Sequence, residues 1–240
     1  MTVLLARKTA IVHGGSGAVG AAVARAFARE GAAVHLTGRT VPPLEDVARR
    51  IQDERGVAHV AQLDATDRDA VDRHADAVAV AGNGIDICFN ATSNDDIQGS
   101  PLLDMAVADV LRPVTKSVRT TLITATAAAR HMVRRKSGVL LVMAGGRETI
   151  PDLGGSHIAW SALTGVCRQL AAELGPQGVR VCWLLSPDSP APGHERIVVS
   201  GSVAALPGRQ HRELVALGIG HGHPADLALA NVDSSRPEGE

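Results

Sequence analysis

The chain has 240 residues, 45% hydrophobic and 20% charged, with a formal net charge of −1. That length suits one α/β domain with a sizeable core, and the balanced charge gives no footprint for nucleic acid or an anionic membrane. No apolar run reaches transmembrane length and Met1–Lys8 lacks the apolar segment of a signal peptide, so a cytoplasmic protein with no membrane partner is expected.

An apolar run at residues 9–12 reads as the first strand and leads into Gly14-Gly15-Ser16-Gly17-Ala18-Val19-Gly20. A helix is expected over 19–30, with Val23, Ala26 and Phe27 on its apolar face and Gly31 as its stop. A strand that turns directly into a helix aims several free backbone N–H groups, and the positive end of the helix dipole, at one spot. Such a turn suits a phosphate or pyrophosphate, and small residues let the ligand approach closely.

The spacing next predicts a strand at 33–37, a helix at 43–54 and a strand at 58–63 ending at Asp64. Thr66, with Asp69 three residues on, is expected to cap a helix running to about Ala81. A fourth strand follows at 85–90, with Asp95 and Asp96 just beyond it. The long helix at 112–135 carries Val114, Val118, Leu122, Ala125, Ala129 and Met132 on one stripe. A fifth strand at 139–144, a helix at 157–174 closed by Gly175-Pro176, and a sixth strand at 179–185 complete the pattern. Strands alternating with helices at this spacing imply a Rossmann-like, doubly wound parallel sheet of order 3-2-1-4-5-6.

Residues 1–185 are thus read as the dinucleotide-binding core, and 186–240 as a substrate-side segment of the same domain with a frayed end. In that tail, 209–217 and 225–232 look helical and no seventh strand is evident. Cys88, Cys167 and Cys182 are expected as buried thiols. His221-Gly222-His223 has too few ligands around it for zinc, so no metal is expected.

The choice of dinucleotide turns on the end of the second strand. No Asp or Glu lies between Glu30 and Glu45 to hold a ribose 2′-hydroxyl, and Arg39 stands there instead. An Arg pairs with a 2′-phosphate, so NADP(H) is expected over NAD(H).

The chain resembles the short-chain dehydrogenase/reductase family over nearly its whole length. His13-Gly14-Gly15-Ser16-Gly17-Ala18-Val19-Gly20 is similar to the family's Thr-Gly-x-x-x-Gly-x-Gly turn, with Ala18 at the middle glycine. Leu63-Asp64-Ala65 resembles the segment that contacts adenine, Phe89-Asn90-Ala91 the Asn-bearing end of the fourth strand, and residues 170–181 a further family segment. The resemblance implies a dimer packed through the helices at 112–135 and 157–174. It also implies a catalytic Asn, Ser, Tyr and Lys, whose positions fall on Ser117, Gly145, Trp160 and Thr164; the chain contains no Tyr. Pro187-Asp188 stands where the family has Pro-Gly.

Indole donates a hydrogen bond but exchanges no proton near neutrality, so the family's Tyr–Lys hydride-transfer mechanism is not expected. His157, three residues before Trp160, is the leading acid–base candidate, with Trp160 and Ser161 beside it. Arg147, Glu148 and Asp152, in the loop after the fifth strand, are further charged residues expected near the pocket. Three readings remain open: a family member recruited to non-redox acid–base chemistry on a small molecule in a biosynthetic pathway, a non-catalytic NADP- or partner-binding protein, and an unconventional NADPH-dependent oxidoreductase.

Overall fold

In the computed structural model, residues 4–145, 149–185, 198–202, 214–215 and 230–231 are described. The core runs β1 (Thr9–His13), α1 (Ala18–Arg29), β2 (Ala33–Gly38), α2 (Val41–Asp53), β3 (Val57–Gln62), α3 (Arg68–Ala81), β4 (Ile87–Asn90), α4 (Val107–Arg135), β5 (Gly138–Gly145), α5 (Ser156–Leu174) and β6 (Val179–Leu185). The six strands pair in parallel in the order β3-β2-β1-β4-β5-β6, as the sequence pattern implies. Every residue of β1 and β4 is buried, because helices cover both faces of the sheet.

Two apolar clusters fill the space between the layers. On one face, Phe27 and Ala24 of α1 and Leu44, Val47 and Ile51 of α2 pack on Val12, Val34 and Phe89. On the other, Val71 and Val78 of α3, Met132 of α4 and Leu163 and Leu170 of α5 pack on Ile11, Leu140 and Val181. Cys88, Cys167 and Cys182 are free and buried, and burial pushes the Cys88 and Cys167 thiols up to about 12. They carry no nucleophilic thiolate at neutral pH.

Four expectations are corrected. A seventh strand exists: β7 (Val198–Ser202) runs antiparallel beside β6, with Leu184 opposite Val199. Its two β-branched residues ahead of Ser-Gly-Ser were too short a signal beside the surrounding Pro and Gly. The helices expected in the tail are not formed at Leu214–Val215 and Ala230–Asn231, which pair as a short antiparallel ladder. Helix α3 is capped by Asp67, whose carboxylate accepts the Ala70 N–H at 3.0 Å, rather than by Thr66. Thr66 instead donates its N–H and hydroxyl to Asp64.

The fourth correction concerns α4. Only the C-terminal part of its apolar stripe is buried: Val114 and Val118 are half-buried and Leu122 is exposed, while Pro113, Ser117, Thr120, Thr121 and Thr124 face inward. Hydroxyls therefore line the inner face of α4 near the carboxyl ends of the strands. Among the described residues, no helix is long and apolar enough to cross a membrane.

Candidate active site

The first turn closes on itself through backbone bonds. The Gly14 and Gly15 N–H groups both donate to the Thr37 carbonyl, at 3.0 and 3.1 Å, and Gly17 N–H donates to the Gly14 carbonyl at 3.1 Å. Gly14 has φ +78°, and a Cβ there would run into the Ala91 carbonyl, so this position accepts only glycine. Ser16, Gly17 and Ala18 are exposed, Val19 is half-buried, and Gly20 is buried under the turn. Helix α1 starts after Gly17 with no side-chain cap and no acidic residue in its first turn. Its leading N–H groups thus face solvent beside the sheet's carboxyl edge, the setting of an anion site.

Beneath this turn lies His13. It is 2% exposed, and its Nδ1 is hydrogen-bonded to the Thr37 hydroxyl at 2.8 Å. Burial, with His74 adding to it, pulls its pKa from 6.5 down to about 3. Next to it, His35 of β2 stacks on His59 of β3 with ring centroids 4.7 Å apart, and His74 of α3 approaches edge-on at 6.3 Å. Burial first, then His59 and His74, lowers His35 to about 4. This histidine group has no local sequence signature, because its members come from three strands and a helix.

At the end of β2, Arg39 is exposed, and its carbonyl accepts the Gln62 side-chain N–H at 2.9 Å. Asp64 is held below the usual carboxylate range first by the Thr66 backbone N–H and hydroxyl, then by the charges of Arg39 and Lys116. Ala65 is buried beside it. Lys116 reaches from α4 to Asp95, and that ion pair likewise lowers Asp95. Arg39 and Lys116 thus both act on Asp64 and Asp95, and the four form one charged group.

Deeper in, a cavity of about 310 Å³ opens between β4, β5, α4 and α5, lined by residues that include Asn90, Thr92, Ser117, Thr121, Gly145 and Trp160. Asn90 is buried and organises its floor. Its amide donates to the Thr121 hydroxyl at 3.0 Å, and its carbonyl oxygen accepts from the Thr92 N–H and hydroxyl at 3.1 and 2.9 Å. Ala91, beside it, closes on β1 through its N–H to the His13 carbonyl at 2.9 Å.

Gly145 and Trp160 form the opposite wall. Gly145 has φ +74° and follows a register shift in the β5–β6 ladder. A Cβ built on it would lie inside the van der Waals envelope of Trp160 Cε2, Cδ2 and Nε1, so the indole occupies the space of a side chain at this position. One turn on, the Thr164 hydroxyl donates back to the Trp160 carbonyl at 3.1 Å.

The other candidates fall elsewhere. His157 packs edge-on against Trp160, ring centroids 6.2 Å apart, but does not line the cavity; its Nδ1 is buried without a partner among the described residues. Ser161 is exposed on the outer face of α5, and Asp152 is exposed. Asp96 accepts the hydroxyl of the fully buried Ser156, and Gln98 donates to Asp96 at 2.7 Å. With Gly99 N–H on the Asp152 carbonyl at 2.8 Å, these bonds tie the segment after β4 to the start of α5. Arg147, Glu148, Pro187, Asp188, His221 and His223 lie outside the described residues. Among the described residues, no group of three or more His, Cys, Asp or Glu is placed to hold a metal ion.

A glycine turn at a β1–α1 junction, over a 3-2-1-4-5-6 parallel sheet, is a dinucleotide-binding architecture, and the chain's relatives share it. Residues 15–187 match the family model described as Enoyl-(Acyl carrier protein) reductase. The chain belongs to the short-chain dehydrogenase/reductase family. It is 29% identical over 178 residues to D-threitol dehydrogenase of Mycolicibacterium smegmatis, covering 72% of this chain and 67% of that one. An uncharacterized oxidoreductase of Staphylococcus saprophyticus is 30% identical over 181 residues, covering 72% and 75%. A metagenomic short-chain oxidoreductase solved in complex with NADP superposes with a TM-score of 0.70 at 26% identity, over 78% of this chain and 85% of that one. The family's members therefore include an NADP-bound homologue of the same fold.

Proposed function

We propose that this chain binds NADP(H) on the family scaffold and uses its rebuilt pocket for a non-redox proton-transfer reaction on a small molecule: cyclisation, isomerisation or dehydration. The N–H groups and small residues at Gly14, Gly15, Ser16, Gly17, Ala18, Val19 and Gly20 would hold the pyrophosphate, and Arg39 the 2′-phosphate. Asp64, Ala65, Asn90 and Ala91 would border the adenine and ribose. The uncapped start of α1, with exposed Ser16, Gly17 and Ala18 and no acidic residue in its first turn, fits such a ligand. When bound, the dinucleotide supplies a hydride donor or acceptor.

The observation that carries the reading is the fit between Gly145 and Trp160. They stand at the family's Ser and Tyr positions, with Ser117 at its Asn and Thr164 at its Lys. Losing one catalytic group at a time leaves gaps. Here the indole covers a glycine in the left-handed region and occupies the space of its side chain, and the Thr164 hydroxyl turns to the helix backbone. The family's proton relay is replaced by a shaped, hydroxyl-lined wall. Losing a general acid removes roughly 10²–10⁴ in rate, so carbonyl reduction by the Tyr–Lys route is negligible. His157 packs edge-on against the indole, ring centroids 6.2 Å apart, and is assigned the acid–base role. Half-buried Val114 and Val118 and exposed Leu122 on α4, with exposed Ile158 on α5, are assigned to a homodimer contact in the cytoplasm.

A second reading, a non-catalytic ligand-binding protein, is favoured by one observation: His157 does not line the cavity. One assay separates the readings. The purified chain is incubated with small ketones and aldols, with and without NADPH, while NADPH absorbance and product mass are followed. Isomerised, cyclised or dehydrated product without NADPH consumption, lost in His157→Ala, supports the first reading. Binding without conversion supports the second. Substrate-dependent NADPH oxidation overturns both in favour of an unconventional oxidoreductase.

A further inference from the structure

We propose that the Asp95–Lys116 ion pair is an internal counter-ion of the dinucleotide site: Lys116 is held by Asp95 in the free protein and is released to the 2′-phosphate when NADP(H) binds. This rests on reading Arg39 as the 2′-phosphate residue and adds the contact that sets the strength of that recognition. Local bonds gather these groups. Arg39 follows β2 and Asp64 follows β3, and the Leu63 N–H donates to the Gly38 carbonyl at 2.8 Å, which joins the two strand ends. Lys116 and Arg119, one turn apart on α4, reach back over them: Arg119 donates to the Thr66 carbonyl at 3.2 Å, and Lys116 pairs with Asp95. Asp95 is held below the ordinary carboxylate range first by Lys116, then by Ser93 and, at longer range, by Arg39. A phosphate beside Arg39 therefore falls within Coulombic reach of the pair.

The two partners are unequal. The Lys116 side chain is 19% exposed and that of Asp95 47%. A covered ammonium must keep an anion, whereas a half-exposed carboxylate returns to water at little cost. Asp95 is therefore the group that leaves. Its backbone favours departure, since φ is +56°, a left-handed conformation that is unfavourable for a residue other than glycine. The chain on either side is anchored independently. Before it, the Thr92 N–H donates to the Asn90 side-chain oxygen at 3.1 Å. After it, Asp96 accepts the Ser156 hydroxyl, and the Gly99 N–H donates to the Asp152 carbonyl. Among the described residues, Lys116 supplies the one hydrogen bond or ion pair from residues 93–95 to a distant element. Release of Asp95 thus loosens 93–95 and leaves both anchors in place.

The test is calorimetric titration of the full chain with NADP and with NAD, which lacks the 2′-phosphate and serves as the reference ligand. Asp95→Asn is expected to raise NADP affinity about fivefold and to change NAD affinity less than about twofold. Lys116→Gln is expected to lower NADP affinity about fivefold. In the double variant the gain from Asp95→Asn is expected to vanish, because no ammonium is left to release. Simple repulsion between Asp95 and the phosphate would leave that gain in place, and this result overturns the inference. A second measurement needs no substitution: amide hydrogen exchange of 93–95 in the natural chain is expected to quicken about threefold with saturating NADP and not with NAD. Equal exchange under the two ligands, or slowing by NADP, refutes the release of Asp95. NAD affinity of each variant reports an intact glycine turn and keeps a folding defect apart from a lost contact. A natural chain that binds neither dinucleotide overturns the reading of the glycine turn together with this inference. NADP binding that is unmoved by Asp95→Asn overturns the inference alone.

Discussion

His13 makes the fold sensitive to mild acid, by an amount that can be worked from its burial. In the unfolded chain its imidazole titrates near 6.5, whereas in the fold burial and His74 hold it at about 3. The unfolded state therefore binds the extra proton first, and stability falls as pH drops through the window from 6.5 to about 3. It is fully present above that window. Between pH 7 and 5 the linkage relation gives a loss of about 2 kcal/mol for this one group. His35, lowered to about 4, acts in the same direction, but it is partly exposed and solvent screening reduces its share to about 1 kcal/mol. His74 is also lowered by burial and adds with the same sign.

Carboxylates do not blur this window, because Glu54, Asp64 and Asp95 are all held below their ordinary values and lose their contribution at lower pH. Urea unfolding at pH 7, 6 and 5 should show the loss in the natural chain. In His13→Thr, which keeps a small polar residue against Thr37, about 2 kcal/mol of the pH dependence should disappear. For a chain of this size that corresponds to a melting temperature about 4–8 °C less sensitive to the same acid step. An unchanged slope between pH 6 and 5 in the variant would show that His13 is not held neutral by its site, and the reasoning would fail.

Three further outcomes follow from the site. Arg39→Ala should bring NADP(H) affinity down about tenfold toward that of NAD(H), and calorimetry finding equal affinities in the natural chain removes the basis for NADP preference. Gly145→Ala should destabilise by more than about 2 kcal/mol in thermal unfolding, because it meets both a left-handed backbone and the indole; in a Trp160→Ala background only the backbone part, about 1 kcal/mol, should remain. Light scattering should give a dimer that Leu122→Asp converts to monomer, and a monomeric natural chain refutes the assigned α4–α5 contact.

The sheet order was legible because each buried strand is a nearly continuous apolar run bounded by a glycine or an acidic residue, and each helix repeats its apolar face. What was not legible depends on pairs distant in sequence. Nothing near Gly145 signals that the indole at position 160 covers it. The reach of Asp96 to Ser156 also depends on two loops meeting over the carboxyl ends of β4 and β5. The hydroxyl floor left a readable trace: Ser117, Thr120, Thr121 and Thr124 recur at helical spacing. The weight given to Val114, Val118 and Leu122 turned α4 to the wrong face in its first half. A buried stripe of Thr is easily passed over, because each hydroxyl can bond its own helix, as Thr124 does to the Thr120 carbonyl at 2.8 Å.

The coupling of Gly145 to Trp160 also decides how the proposed loss of the Tyr–Lys route should be tested. If the two positions were independent, placing Ser at 145 in the natural chain would be neutral for the fold. With the indole where it lies, Gly145→Ser adds a side chain into occupied space at a positive φ, and the first effect is on packing. Trp160→Tyr leaves the phenol without a cation, because Thr164 offers only a hydroxyl already turned to the helix backbone. The substitutions therefore act as a unit, and single replacements report strain rather than chemistry. Trp160→Tyr, Thr164→Lys and Gly145→Ser together should give at most traces of NADPH-dependent carbonyl reduction, and each alone none above the natural chain. Full reductase activity from Trp160→Tyr alone would mean that the pocket still holds a competent relay, and that the indole only blocks it.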